Sequence, residues 1–253
     1  NEKNIAFISI DESPVEVAIR NEIYADSIKL IEQRYPYTGS SNVLSNIALV
    51  NIKSHLITEV KNTEQSEDFY IPRLSWLPNS ESIVYQWQSR DQKTLKLKNY
   101  HVKNKKQTTL LTESSEHWVN LYDDLHFLKN SSSFIWSSER DGFKHLYHFK
   151  KNGELISQIT KGSWTVDKLE FVDENEGWIY FSGRADSAIE KHLYKVPLSS
   201  SNAERTIKIS QGSGFHNLIF SLNPTAYVDL FSNAQTPINL RYHDLNKNES
   251  ISL

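Results

Sequence analysis

Lys144-His145-Leu146-Tyr147 returns intact as Lys191-His192-Leu193-Tyr194, and the 47 residues separating the two copies set the period of the whole chain. Working outward, the tyrosine of that tetrapeptide has counterparts on both sides. Tyr100, Tyr147, Tyr194 and Tyr242 stand 47, 47 and 48 residues apart. A second signature keeps the same rhythm: Leu74-Ser75-Trp76, Leu125-His126-Phe127, Leu169-Glu170-Phe171 and Leu218-Ile219-Phe220, at intervals of 51, 44 and 49. Each is followed, after a polar turn, by a second apolar run: Ile83 to Trp87, Phe134 to Trp136, Trp178 to Phe181 and Tyr227 to Phe231. Repeats of roughly 40–50 residues holding four short strands and regularly placed aromatics are the signature of β-propeller blades. A blade buries its faces only against its neighbours, so the repeat predicts packing as well as strands. The expected fold is all-β, an incomplete β-propeller of four-stranded blades.

The 253 residues divide by this period into about five blades, and the chain starts abruptly in a strand-like run, Ile5-Ala6-Phe7-Ile8, without an initiator methionine. The expectation is a piece of a longer protein. A composition of 38% hydrophobic and 23% charged residues is that of a water-facing globular domain with a sizeable core. Net charge is −3 and the nine histidines are scattered singly. Nucleic-acid binding by counterion release needs clustered Lys and Arg, so no nucleic-acid partner is expected. The one basic cluster, Lys103, Lys105 and Lys106, falls in a predicted hairpin turn and reads as a solvated loop. No apolar run approaches the ~20 residues that span a bilayer. Cysteine is absent, which excludes disulfides and thiolate metal sites.

Turn chemistry falls where hairpins require it. Inner turns are expected at Pro78-Asn79-Ser80, Lys129-Asn130-Ser131, Asp173-Glu174-Asn175 and Leu222-Asn223-Pro224. Outer turns are expected at Lys103-Asn104-Lys105, Lys151-Asn152-Gly153, Ser199-Ser200-Ser201 and Asn246-Lys247-Asn248. An earlier copy of the outer hairpin pairs Ala48 to Ile52 with Ile57 to Val60. The first 47 residues break the rhythm and read as a strand plus an extended arm, with blades over 48–253. Val17 to Glu32 admits a short helix from its periodicity, or an extended insertion from its β-branched content. Arg34-Tyr35-Pro36-Tyr37-Thr38-Gly39 stops any helix with its Pro and Gly.

Motifs for covalent chemistry are missing. The sequence has no G-x-S-x-G elbow, H-E-x-x-H pair, Walker A loop or dinucleotide fingerprint. No catalytic residue, metal ligand or cofactor is therefore assigned. Gly212-Ser213-Gly214 lacks the elbow spacing and reads as an inter-blade loop. The adjacent acids Asp11-Glu12 and Asp123-Asp124 read as solvated loop residues. His145 and His192 occupy equivalent repeat positions, which favours structure over metal ligation, since repeats radiate while ligands converge. Asn130-Ser131-Ser132 and Asn248-Glu249-Ser250 match the N-glycosylation pattern, a short motif that often occurs by chance. The recurring aromatics read as packing between blades. Trp118 and Trp164, which precede strand pairs, face either a channel or a neighbouring blade.

Five collinear stretches then carry a specific resemblance: Asp11 to Val15, Arg34 to Gly39 with Asn42, Leu74 to Ser80, Ser137 to Tyr147, and Ile159 to Val166. In order and content they resemble the N-terminal propeller of the dipeptidyl peptidase IV family, in its bacterial branch. The resemblance implies about five of eight blades of a propeller that caps an α/β-hydrolase domain. It implies a parent serine exopeptidase releasing N-terminal dipeptides with Pro or Ala in second place. The catalytic triad and the paired glutamates that hold the substrate amine would lie outside this chain. Lack of cysteine departs from the animal enzymes and points to a bacterial, periplasmic or secreted parent. By the same resemblance, Arg34, Tyr35, Pro36 and Tyr37 belong to a dimerising arm, and Trp118 and Asn120 approach the subsite for the side chain two residues from the scissile bond. The implied partners are peptide substrate, the hydrolase domain of the same polypeptide and a second copy. The competing readings are a stand-alone propeller scaffold that binds proteins, and the propeller of a related peptidase with a different specificity.

Overall fold

The computed structural model describes residues 3–64, 68–129, 132–199, 206–221, 225–245, 247 and 249–253. The expected turns at 130–131, 200–201 and 222–224, and the turn residues Asn246 and Asn248, lie outside the described residues; so do both sequon asparagines. Every regular element among the described residues is a strand. Among the described residues no helix is long and apolar enough to cross a membrane. The chain divides into two compact units, Asn1–Leu121 and Tyr122–Leu253.

The first unit holds a three-stranded sheet in the order β1 (Asn4–Asp11), β4 (Leu44–Asn51), β5 (Ile57–Val60). It also holds a four-stranded meander of β6 (Phe69–Trp76), β7 (Ser82–Ser89), β8 (Thr94–His101) and β9 (Lys106–Ser114). The two sheets share a core of Ile47, Leu49, Val60, Phe69, Ile83, Tyr85 and Trp87. Strand β7 is buried along nearly its whole length, as a strand covered on both faces must be.

Between β1 and β4 the chain leaves its sheet as a separate two-stranded ribbon, β2 (Val17–Ile23) with β3 (Ile28–Arg34). The short helix that the periodicity allowed here does not form. Val17, Ile19, Ile23, Ile28 and Ile31 are β-branched, which restricts χ1 in a helix and suits a pleated strand. Asp26 and Ser27 supply a turn, where the Tyr24 N–H donates to Ser27 O at 2.9 Å.

The second unit contains three meanders of the same kind. They are β10 (Leu125–Phe127) to β13 (Leu155–Gln158) through β11 (Ser133–Ser138) and β12 (His145–Lys150); β14 (Val166–Asp173) to β17 (Ile207–Lys208) through β15 (Trp178–Gly183) and β16 (His192–Pro197); and β18 (Phe215–Phe220) to β21 (Glu249–Ser252) through β19 (Ala226–Asn233) and β20 (Thr236–Asp244). Ile135, Leu146, Ile159, Val166, Ile179, Phe181 and Tyr194 fill the space between the first two sheets. Tyr180, Leu193 and Tyr227, with Phe171, Trp178 and Phe220, fill the next. Each fully buried aromatic or branched side chain contributes about 1.5–3 kcal/mol.

The repeated tetrapeptide now has a physical reason. The Thr160 hydroxyl accepts the Leu146 N–H at 2.9 Å and meets His145 Nδ1 at 3.0 Å. Ser210 does the same for Leu193 and His192, both at 3.0 Å. In these two blades the imidazole and a hydroxyl pin the start of the third strand to the chain beyond the fourth. His145 Nε2 donates on to Gly162 O at 2.9 Å. Gly162 adopts φ +140°, and a Cβ there would lie 2.3 Å from Trp164 Nε1, so only glycine fits.

Candidate functional site

The arm begins at a turn where Asp11 Oδ1 accepts the Ser13 N–H at 2.8 Å, a bond that holds the Asp11 carboxyl below the usual range. Glu12 is exposed, as expected of a solvated acid. Arg34 closes the base of the ribbon, donating to Ser13 O at 3.2 Å and to Val15 O. Its guanidinium is therefore committed to the arm's own backbone. Tyr35 and Tyr37 are more than half exposed, with ring centroids 5.0 Å apart, and Pro36 is half-buried between them.

Sequence reading missed the larger feature of the arm. The register places Val17, Ile19 and Ile23 of β2 opposite Arg34, Glu32 and Ile28 of β3, with Asn21 opposite Leu30. Side chains opposite one another share a face, so Val17, Ile19, Ile23, Ile28 and Leu30 form one apolar stripe. All five are exposed, Ile23 by 79% and Leu30 by 69%. The other face is polar: Arg20 pairs with Glu22 at 2.8 Å and reaches Gln33 at 3.1 Å. The signal was available as an alternation broken at Asn21 and Ile31, once the segment is read as a strand.

Trp118 and Asn120 are brought together. The Trp118 indole N–H donates to Asn120 Oδ1 at 3.2 Å, and the indole is 62% exposed. Trp164, at the matching point of a later repeat, is instead half-buried and packed against the core, with its ring centroid 5.9 Å from Phe181 and 4.9 Å from His145. The loop bearing Trp118 is fixed to the β7–β8 turn by its backbone: Val119 N–H to Gln92 O at 2.8 Å and Ser115 N–H to Lys93 O at 3.0 Å. An exposed indole braced by an amide on an anchored backbone can pack an apolar side chain and hydrogen-bond a peptide group.

Several polar residues behave differently from the sequence reading. Asp124 is buried, not solvated: it pairs with Lys144 Nζ at 2.5 Å and accepts the Leu169 N–H at 2.8 Å. Lys144 also donates to Asp167 O at 2.7 Å and lies 4.3 Å from the centroid of the Tyr122 ring. A charge leaves water only when it is paired and hydrogen-bonded in this way. Its neighbour Asp123 stays exposed. In the first unit Lys98, 1% exposed, meets Glu64 at 2.5 Å, and Lys96 meets the other Glu64 oxygen at 2.5 Å. Burial pushes the Glu64 carboxyl up, but the two lysines outweigh it and hold it below the usual range. Lys103 and Lys105 are exposed in the β8–β9 turn, as expected, and Lys106 is exposed at the first position of β9.

Among the described residues two His–carboxylate pairs resemble part of a hydrolase triad: His192 with Glu190 at 2.8 Å and the buried His216 with Asp229 at 2.6 Å. A triad needs a reachable hydroxyl at the second imidazole nitrogen. At His192 that hydroxyl is Ser210, which is 4% exposed and accepts the Leu193 N–H; at His216 the second nitrogen faces Gly212 O at 3.2 Å, and Ser213 Oγ donates to Glu190 instead. Gly212-Ser213-Gly214 is a loop leading into β18, as its spacing predicted. Among the described residues no group of three His, Asp or Glu side chains is placed to hold a metal ion.

Comparison with known proteins places this geometry. The family model described as the dipeptidyl peptidase IV N-terminal region matches residues 1–238. Dipeptidyl peptidase 4 of Porphyromonas gingivalis superposes with a TM-score of 0.89 at 25% identity, over 99% of this chain and 35% of that one. A putative dipeptidyl aminopeptidase IV from Bacteroides ovatus gives 0.84 at 21% identity, over 99% of this chain and 38% of its own. Dipeptidyl peptidase 4 of Trichophyton rubrum is 24% identical over 218 residues, 80% of this chain and 28% of the relative. The fold and arm thus define a blade-forming segment of a propeller. The chain belongs to the dipeptidyl peptidase IV N-terminal region family, and it spans 28% to 38% of the length of these relatives.

Proposed function

We propose that residues 1–253 form part of a single propeller domain, residues 1–47 being strand and arm and 48–253 blades, in a serine-type dipeptidyl peptidase whose hydrolase domain lies elsewhere in the same polypeptide. The propeller gates peptide access and supplies dimer contacts; the covalent chemistry belongs to the other domain. The observation that carries this reading is the family match over residues 1–238. In this reading the parent removes N-terminal X-Pro or X-Ala dipeptides, works in the periplasm or outside the cell, and needs no cofactor. Trp118 and Asn120 line the approach to the second subsite, supported by the exposure of the indole and its bond to Asn120. The arm dimerises through Tyr35, Pro36 and Tyr37 together with the apolar stripe of β2–β3, while Arg34 holds the arm's base.

The test is kinetic. In the full-length protein, Trp118→Ala raises KM for Gly-Pro-type reporters selectively when the first residue is bulky, and the isolated chain turns over none. Turnover by the isolated chain, abolished by a serine-directed inhibitor, overturns the division of labour. A general loss of thermal stability in Trp118→Ala with unchanged specificity removes Trp118 from the subsite.

A further inference from the structure

The β7–β8 turn, Ser89 to Lys93, is touched from two sides. On one side it carries the loop of Trp118 and Asn120. Besides the two backbone bonds already described, the amide of Gln88 donates to Val119 O at 3.1 Å, and Gln88 is only 3% exposed. A buried amide in a strand otherwise rich in apolar residues is costly unless it is hydrogen-bonded; here it holds the loop.

On the other side the turn meets the root of the arm. Arg90 donates to the Tyr70 hydroxyl at 2.8 Å, with its guanidinium 5.6 Å from the Tyr70 ring centroid, and its second nitrogen reaches Tyr37 O at 3.5 Å. Pro36, Thr38 and Gly39 of the arm face Tyr70, Arg90 and Asp91 across one groove.

The turn between these two attachments is stiff. Gln92 N–H donates to Ser89 O at 2.8 Å, Ser89 Oγ to Asp91 Oδ1 at 2.6 Å, Lys93 N–H to Asp91 Oδ1 at 3.1 Å and Thr94 N–H to Ser89 Oγ at 3.1 Å. Gln92 is held at φ +59°, a conformation that side-chain-bearing residues keep only where their surroundings impose it. A turn with its hydrogen bonds closed internally passes a displacement on instead of absorbing it.

We propose that this turn couples the arm to the Trp118 loop, so that ordering the arm at a dimer interface favours substrate binding, with Arg90 and Gln88 as the two connecting residues. The inference rests on the proposed roles of the arm and of Trp118. Restraining the arm root restrains Arg90 and the turn, so the loop has less freedom left to lose when peptide binds. Such coupling is reciprocal: bound peptide must tighten the dimer by the same factor.

The experiment uses the full-length protein. Sedimentation velocity across a dilution series gives the dimer Kd with and without saturating Ala-Pro product. Wild type is expected to show at least a 5-fold lower Kd with the dipeptide, and Arg90→Ala less than 2-fold. Gln88→Leu should likewise abolish the difference and speed amide exchange in a peptide covering residues 115–121. Arg90→Lys, which keeps the charge but loses the two-nitrogen reach, gives the same reading if Arg90→Ala is unstable. If removing residues 17–34 leaves the oligomeric state unchanged, the arm assignment fails. If removal dissociates the dimer but wild type shows no ligand dependence, or Arg90→Ala retains it, the coupling is overturned.

Discussion

Strands β2–β3 and strands β14–β15 are both antiparallel pairs rich in large apolar residues, and the structure gives them opposite settings. In β15, Ile179, Tyr180, Phe181 and Ser182 are buried, with sheets packed on both faces. In the ribbon, every large residue of the apolar stripe is in solvent. Alternation decides that a segment is a strand and which side chains share a face. It does not decide what lies against that face, and a two-stranded ribbon cannot cover its own.

The sharpest test of this contrast is truncation. Phe181→Ala removes a ring 5.4 Å from Tyr194 and 5.9 Å from Trp164, and is expected to cost about 3–5 kcal/mol in urea unfolding. Ile19→Ser on the ribbon should cost less than about 0.5 kcal/mol in the monomer. A comparable loss at both sites would show that the ribbon's stripe is packed within one chain. Charge pairs sharpen the same contrast. Asp124→Ala strands Lys144 beneath the surface and should cost about 3 kcal/mol. Removing the Arg20–Glu22 pair on the ribbon should cost about 0–1 kcal/mol, less at high salt.

Acid offers a third handle. Burial holds His148 in β12 below the ordinary histidine range, and the same is true of His126 and His243. Above a pH of about 6.5 these imidazoles are neutral whether the chain is folded or not, and the stability is fully present. As pH falls, the unfolded chain takes up protons first, so stability declines until pH has passed below the folded values. Thermal melts from pH 7 to pH 5 should show a falling Tm, and His148→Gln should fall less steeply than wild type. An unchanged slope would mean that His148 is as free to protonate as a residue on the ribbon. A gain instead of a loss is expected in the β7–β8 turn. Gln92→Gly relieves a left-handed conformation worth about 1–2 kcal/mol but adds about 0.5–1 kcal/mol of chain entropy, so a net gain of about 0–1.5 kcal/mol is expected in urea melts.

The periodic part of the fold was legible because each blade repeats the same physical problem. Tyr147 and Tyr194 recur because their two sheets each need a wide, flat side chain at that packing position, and His145 and His192 recur because β12 and β16 share one clamp, which β8 and β20, opening on Thr94 and Thr236, do without. The arm was half legible. Pro36 and Gly39 announced an irregular segment, whereas the ribbon before them matched a helical spacing closely enough to leave both readings open. Trp118 and Trp164 stand at matching points of the repeat, yet one is solvent-exposed and the other packs against the core, because Gly162 lets the chain fold back over Trp164. Asp124 could not be told from Asp123 without knowing that Lys144, twenty positions away, arrives beneath it. Gln88 and Arg90 carried no motif at all; their meaning lies in the two backbone segments they hold.

Strand order within each four-stranded sheet follows the chain, and this bears on how the molecule is made. A nascent chain grows at about 5–20 residues per second, so a blade of some 47 residues takes seconds to appear, while a hairpin closes in about 1–10 μs. Each meander can therefore complete its ladder before the next one leaves the ribosome. The sheet at the base of the arm is the exception, because β1 must wait for β4 while the ribbon is already out. For that interval an apolar stripe and an unpaired strand edge are exposed together on the growing chain. Chaperone engagement during synthesis should concentrate on this segment, ahead of every blade that follows.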